Sequence, residues 1–349
     1  MSLKNTLAKL LAPAAAVAEK TVFTTALNLP PGLQRRLAGP PIVVQGQTLA
    51  VDTQLMLRLQ RLSGQPELAA MSIARIRSGM DHQAVVGGGR HPIGTVRDLD
   101  VAGIPARLYT PSTLTKTPGP LLVFLHGGGF VFGGLESHDG PCRLVAELSG
   151  VRILAVDYRL APEHPFPAAY DDAVAAFDWA VSHAAYLGAD PERIGVGGDS
   201  AGGNLAAGVA LAALEKCAFQ LLIYPVTDVD AETESRRLFA QGFFLTSEFV
   251  DFAGRSYVGA DVDHRDPRIS PLYASIPPEG VAPAYVATAG FDPLRDEGEA
   301  YARRLEEAGV KVETRRYADQ IHAFFNVVGA GHTAKAAVAE IAAVLRDRL

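Results

Sequence analysis

This chain of 349 residues predicts an α/β fold: a mostly parallel central sheet flanked by helices, with a helical cap. Three observations carry that expectation. From Val96 onward, short apolar runs alternate with stretches of helical period, the pattern of a parallel sheet covered on both faces. Ahead of that point helical periodicity dominates. Over about 229–275 the alternation is interrupted, as by an insertion.

Residues 1–90 read as helical. Within Asp52–Ser63, Leu55, Leu59 and Leu62 fall on one face. Gly87-Gly88-Gly89 and Pro92 then break the chain. At the N-terminus Ala16-Val17-Ala18 resembles a cleavage site, but Lys9 and Pro13 interrupt the apolar core a signal peptide needs. A helix packed on the body or lid is therefore expected there, in preference to a leader or a surface anchor. No run is long and apolar enough to span a membrane.

Strands are expected at Val96–Val101, Ile104–Tyr109, Leu121–Leu125, Arg152–Val156, Arg193–Gly197, Leu221–Tyr224, Ala284–Ala289 and Lys311–Tyr317. The first two, joined without a helix, should form an antiparallel edge. Helices are expected at Pro141–Leu148, Ala169–His183, Gly203–Glu215, Asp296–Ala308 and Thr333–Leu349. In the interrupted stretch, Phe239, Phe243, Phe244, Phe249 and Phe252 read as lid packing above a site. The chain thus divides into 1–90, part of a cap, and 91–349, an α/β body carrying a cap insertion at about 229–275.

Gly198-Asp199-Ser200-Ala201-Gly202 stands between an apolar run and an Ala-rich helical stretch. In a strand–turn–helix context, G-x-S-x-G marks a nucleophile elbow, a turn so sharp that only side-chain-free neighbours fit. The Ser200 hydroxyl would sit at a helix N-terminus, where negative charge is tolerated. Upstream, His126-Gly127-Gly128-Gly129-Phe130 follows the apolar run ending at Leu125. A buried strand ending in HGGG reads as an oxyanion loop, whose bare backbone donates N–H groups to a tetrahedral intermediate. Gly128, Gly129 and Ala201 are the expected donors.

A serine hydroxyl needs a base, and the base needs a carboxylate to fix its tautomer. With the chain order Ser, acid, His, only His264, His322 and His332 are available as base. His264 lies in a polar run that reads as surface loop, and His332 in a turn before the last helix. His322, after the last strand, is chosen. Asp228 and Asp292 both follow neighbouring strands and both remain candidates for the acid on these grounds.

Four segments together resemble the bacterial hormone-sensitive-lipase family of carboxylesterases, within the α/β-hydrolase superfamily. They are HGGGF at 126–130, Asp157-Tyr158-Arg159-Leu160-Ala161-Pro162-Glu163, Gly198-Asp199-Ser200-Ala201-Gly202-Gly203-Asn204, and Asp292-Pro293-Leu294-Arg295-Asp296. The match runs from about residue 95 to the C-terminus. The resemblance implies the α/β-hydrolase fold with a cap, and the triad Ser200, Asp292 and His322, with Asp292 placed by the DPLRD motif. His126, Gly127, Glu163 and Asp199 are read as support for the elbow and the oxyanion loop, Arg159 as a buried partner for such carboxylates, and Phe130 and Phe132 as pocket walls. Asp296 reads as a first-turn helix residue.

The expected activity is hydrolysis of short- to medium-chain esters through an acyl-enzyme. The alternatives are an amidase, a deacetylase, a true lipase, or a non-catalytic small-molecule receptor on the same fold. The intact set of Ser200, Asp292, His322 and HGGG speaks for the enzyme. A formal net charge of −6 argues against nucleic acid and anionic membranes as partners. A small-molecule ester is the expected partner, and a homodimer is left open. No HExxH, P-loop or convincing GxGxxG is present, so neither metal nor cofactor is implied. Cys142 and Cys217 form no metal pattern or disulfide framework, which suits a reducing, cytoplasmic setting.

Overall fold

A computed structural model of the protein describes residues 21–63, 71–114, 118–277 and 279–349. The expectation for residues 1–20 lies outside them.

A small hairpin of β1 (Val43–Val44) and β2 (Gln47–Thr48) precedes the main sheet. The main sheet holds β3 (Thr95–Val101), β4 (Ile104–Thr110), β5 (Gly119–Leu125), β6 (Arg152–Val156), β7 (Ala189–Asp199), β8 (Gln220–Ile223), β9 (Ala284–Phe291) and β10 (Val312–Ile321). Its eight strands run in the order β10-β9-β8-β7-β5-β6-β4-β3. β3 pairs antiparallel with β4 and β4 antiparallel with β6, and every other pairing is parallel. The antiparallel edge falls where two strands follow each other with no helix between them. β5, β6, β8 and β9 are buried along their whole length, which is why they read as unbroken apolar runs. One apolar cluster packs around Val123, Leu154, Phe177 and Leu205. A second gathers Leu122, Phe124, Phe219 and the last helix, Thr333–Arg348, through Val338 and Ile341.

Before β3 the chain is mostly helical, with helices at Pro31–Ala38, Val51–Leu62 and Ile73–Gly88. Two features there differ from the expectation. Residues 43–48 form a hairpin, not a helix; Gly46, at φ 76°, makes its turn. The helix Ile73–Gly88 also runs through Gly87 and Gly88 instead of breaking before them. Those glycines permit a close approach: a Cβ on Gly140 would lie within 2.5 Å of the Gly88 carbonyl oxygen. Gly329 N–H donates to Gly87 O at 2.7 Å, so the helix end is fastened to the body through backbone.

The N-terminal region grips the carboxyl ends of β9 and β10. Leu27, Leu55 and Leu57 pack with Phe239, Phe291 and Ile321 in a third cluster. Ala50 N–H donates to Asp319 O at 3.0 Å. Asp52, although in the first turn of its own helix, caps the last one, accepting from His332 N, Thr333 N and Thr333 Oγ1. Burial alone would raise its pKa, but these donors hold it below the ordinary carboxylate value. The stretch 229–275 supplies the helices Glu234–Leu238 and Ser247–Tyr257. Its Phe239 and Phe243 pack on Phe291 with centroids 5.7 and 5.4 Å away. No helix among the described residues is long and apolar enough to cross a membrane.

Candidate active site

Ser200, Asp292 and His322 each follow the last residue of a strand: β7, β9 and β10. They therefore share the carboxyl edge of the sheet, where ligands bind in open α/β folds. Ser200 stands between β7 and the helix Ala201–Ala213 at φ 55°, ψ −118°, a backbone region that side chains rarely adopt. The turn is held by Ser200 N–H donating to Ile223 O at 2.9 Å and by Asn204 N–H donating to Ser200 O at 3.0 Å. Gly202 is required by contact: a Cβ there would overlap the Leu125 carbonyl oxygen at the end of β5.

His322 and Ser200 are both almost fully buried, and Asp292 is completely so. A carboxylate only accepts, so His322 Nδ1–H donates to Asp292 Oδ2 at 2.8 Å. That leaves the Nε2 lone pair facing Ser200 Oγ at 2.9 Å, within reach of the hydroxyl proton. Asp292 Oδ1 accepts Leu294 N–H at 2.8 Å, a turn bond that fixes the carboxyl plane. β9 runs on through Gly290 and Phe291, two residues beyond the expected strand Ala284–Ala289, so Asp292 leaves directly from the strand end. β10 continues to Ile321 across a register shift after Tyr317 and carries His322 likewise.

The alternative residues lie elsewhere. Asp228 accepts from Tyr273 Oη at 2.9 Å and from Asp230 N at 3.1 Å. His264 pairs with Asp230 at 2.8 Å on the surface. His332 is the exposed residue before the last helix.

The HGGG segment turns back over the elbow. Gly128 and Gly129 have φ of +124° and +60°. A Cβ on Gly128 would overlap the Phe132 carbonyl oxygen, so the path needs glycine. Among the described residues no acceptor takes the N–H of Gly128 or Gly129, and both line the cavity beside Ser200. Ala201 is the first residue of its helix, where an N–H has no helical acceptor. His126 points inward: Nδ1–H donates to Gly127 O at 2.8 Å, and the ring stacks on Tyr158 at 4.2 Å. Burial, reinforced by His138 nearby, pushes its pKa down to about 3, so it is neutral.

Asp199, the variable residue of the elbow, is 2% exposed. Its Oδ1 accepts Gly127 N–H at 2.8 Å and lies 3.0 Å from His138 Nε2. Its Oδ2 is approached by Tyr224 Oη at 3.4 Å and Asn326 Nδ2 at 3.5 Å. Burial would raise its pKa, but His138 and the Gly127 N–H bring it below the usual carboxylate value. Tyr224 stands 4.5 Å from the His322 ring, its phenol pushed far up by burial and by the charges of Asp199 and Asp292.

Two expectations need correction. Glu163 supports the oxyanion loop only indirectly and from the surface: its side chain is 54% exposed and pairs with Arg77 at 2.7 Å. Arg77 also donates to Val131 O and Ala161 O, so this pair fastens the helix Ile73–Gly88 to the segment after HGGGF. Arg159, half exposed, binds Asp172 at 2.7 Å instead of a carboxylate near Ser200. His138, Tyr224, Asn326 and Arg77 were missed. None sits in a motif, and a base search confined to residues after Ser200 passes over His138. Asp296 does lie in the first turn of the helix Arg295–Glu307, where it accepts Ser235 N–H at 2.8 Å.

A cavity of about 610 Å³ opens onto Ser200 and His322. Its walls are mainly apolar. Met56 and Met80 come from the N-terminal helices, Phe130 and Phe132 from the loop after HGG, and Phe244 and Phe249 from the stretch after β8. Phe130 is itself braced by Tyr257, with stacked rings 3.9 Å apart. Among the described residues, no group of three or more His, Cys, Asp or Glu side chains is placed to hold a metal ion. Cys142 and Cys217 are buried free thiols.

Comparison with known proteins places the chain among ester hydrolases of this fold. Residues 122–326 match the family described as the alpha/beta hydrolase fold. The chain is 44% identical over 329 residues to the carboxylic ester hydrolase LipN of Mycobacterium tuberculosis, covering 89% of this chain and 86% of that protein. It is 44% identical over 216 residues to an ethyl acetate hydrolase of Pseudomonas putida, covering 60% of this chain and 68% of the relative. Among solved structures, an alpha/beta hydrolase enzyme from the metagenome of Lake Arreo superposes with a TM-score of 0.83 at 42% identity, covering 87% of this chain and 99% of the other. The esterase of the archaeon Pyrobaculum calidifontis gives 0.78 at 38% identity, covering 83% and 96%.

Proposed function

The chain belongs to the α/β-hydrolase fold family, in its hormone-sensitive-lipase-like branch, and we propose that it hydrolyses short- to medium-chain carboxylic esters through an acyl-enzyme on Ser200. Its class is carboxylic ester hydrolase. The residue assignment rests on one observation above all: the buried hydrogen-bond chain from Asp292 through His322 to Ser200.

The chemistry follows from those bonds. His322 Nε2 takes the Ser200 proton as Oγ attacks the ester carbonyl carbon. The carbonyl oxygen, now an anion, turns toward the N–H groups of Gly128, Gly129 and Ala201. Asp292 holds the imidazole in the tautomer that accepts at Nε2 and stabilises the imidazolium once formed. The carbonyl re-forms, the alcohol leaves with the proton from Nε2, and the acyl group remains on Ser200. Water then attacks by the same route and releases the acid.

The described residues before β3, 21–63 and 71–90, serve together with 229–275 as the cap over this site. The support is that Met56 and Met80 from before β3 and Phe244 and Phe249 from 229–275 line one cavity with Ser200. An apolar, bounded cavity favours acyl chains up to the length it holds, since each methylene buried contributes roughly 0.8 kcal/mol and each one left outside contributes nothing.

The test is Ser200→Ala assayed with p-nitrophenyl butyrate. The variant should fold and lose about 10³-fold or more of kcat. Hydrolysis retained in a preparation free of contaminating esterase would overturn the assignment.

A further inference from the structure

The glycines that offer the oxyanion N–H groups are the least self-constrained part of the site. Gly128 and Gly129 take φ of +124° and +60° and have no side chains to anchor them. Catalysis nevertheless needs those donors fixed to a fraction of an ångström. The loop must therefore be held from outside, and the structure shows where.

A single oxygen, Asp199 Oδ1, accepts Gly127 N–H at 2.8 Å and meets His138 Nε2 at 3.0 Å. Gly127 and His138 bracket the loop, so one carboxylate oxygen gathers both of its ends. The far side of the His138 ring is braced as well: Nδ1 lies 2.8 Å from Ser137 Oγ, which accepts Gly134 N–H at 2.9 Å. His138 is 4% exposed, so this N···O approach is sheltered from water, where the attraction between the carboxylate and the ring nitrogen is strongest even though the pair is not aligned as a hydrogen bond. Asp199 is the residue bonded directly to Ser200. The clasp thus registers the oxyanion loop against the nucleophile itself.

We propose that His138 is a positioning residue for the oxyanion hole, acting through Asp199 to set the Gly128 and Gly129 N–H groups at the distance the tetrahedral intermediate requires. This rests on Ser200 as the nucleophile. Ser137, His138 and Asp199 stand in the cavity wall, but the clasp acts on backbone donors whose contact with the substrate oxygen strengthens only once that oxygen becomes an anion. Loss of the clasp should therefore appear in the transition state and leave ground-state binding intact.

The experiment compares His138→Leu, His138→Gln and Ser137→Ala with the wild type, using p-nitrophenyl butyrate and two inhibitors. One is a trifluoromethyl ketone, which forms a tetrahedral adduct; the other is the corresponding methyl ketone, which stays planar. His138→Leu should lower kcat by about 30- to 100-fold with KM within about twofold, somewhat less than outright removal of a donor. Affinity for the trifluoromethyl ketone should fall by a similar factor, with the methyl ketone unchanged. His138→Gln keeps an N–H donor near the Nε2 position and should recover most of the loss. Ser137→Ala only loosens the ring and should give a smaller loss in the same sense, which preserves the test if His138→Leu fails to fold. The proposal is overturned if folded His138→Leu, or Ser137→Ala when that is the variant available, keeps the wild-type kcat within twofold, or if both ketones weaken equally. Ser200→Ala in the same panel separates the two claims. Hydrolysis surviving there overturns the nucleophile and the clasp with it. An inactive Ser200→Ala beside an unimpaired His138→Leu overturns the clasp alone.

Discussion

Replacing His126 by Asn should remove a specific part of the protein's sensitivity to acid. The His126 imidazole is buried against Tyr158 and donates to Gly127 O, and burial, with His138 beside it, pushes its pKa down to about 3. In the unfolded chain a histidine titrates near ~6.5. The folded value is depressed, so the folded state stays neutral where the unfolded state takes up a proton. Stability is therefore full above ~6.5 and falls as the pH drops from there toward the folded value. Between pH 7 and pH 5 the unfolded chain gains most of one proton at this position and the folded chain almost none, which integrates to about 2 kcal/mol. Asn presents an amide N–H where Nδ1–H stands but does not titrate. Urea unfolding of both proteins at the two pH values measures the effect. The wild type should lose about 2 kcal/mol more than His126→Asn between them, whatever the variant's absolute stability. Equal losses would show that His126 is not held neutral, and the account of the oxyanion loop's inner face would fail with it.

Other perturbations test separate parts of the site. Asp292→Asn should lower kcat by about 10⁴-fold because His322 loses its orienting anion, whereas Asp228→Asn, which weakens the bonds from Tyr273 and Asp230, should cost less than tenfold; steady-state kinetics with reversed magnitudes would move the acid to the earlier strand. Gly202→Ala should destabilise the protein by about 3 kcal/mol, since the new methyl would press on the Leu125 carbonyl that ends β5; an unchanged melting curve would contradict the packing of the elbow. A p-nitrophenyl ester series from acetate to palmitate should show kcat/KM rising with the methylene gain and falling once the bounded cavity is full, with the optimum at about C4 to C8 that the family resemblance implies. Phe249→Ala should shift that optimum to longer chains because it removes a wall; an unchanged profile would take the roof away from acyl selection.

Much of this molecule is written locally in its sequence. The buried strands β5, β6, β8 and β9 are continuous apolar runs because both faces are covered, and helices between them force parallel pairing. The elbow and the HGGG loop are legible because each needs glycine at fixed offsets: Gly202 against Leu125, Gly128 against Phe132. What could not be read depends on contacts between distant segments. The Asp199–His138 pair joins a strand end to a loop sixty residues earlier, roughly, and no spacing announces it. Glu163 sits in a legible motif, but its partner Arg77 comes from a cap helix whose packing the sequence does not encode locally. The glycine run at 87–89 has two readings, a chain break or a close approach, and only the neighbours Gly140 and Gly329 choose between them.

The central claim is that Ser200, activated by His322, carries the acyl group. Its most direct test is to treat the protein with a p-nitrophenyl alkylphosphonate and follow both the residual esterase activity and the modified peptide by mass spectrometry. The account predicts one equivalent of p-nitrophenol released per chain, activity lost in proportion, and a single adduct on Ser200 that is absent from Ser200→Ala. An adduct on another residue that tracks the loss of activity, or full hydrolysis by protein already labelled at Ser200, would contradict it.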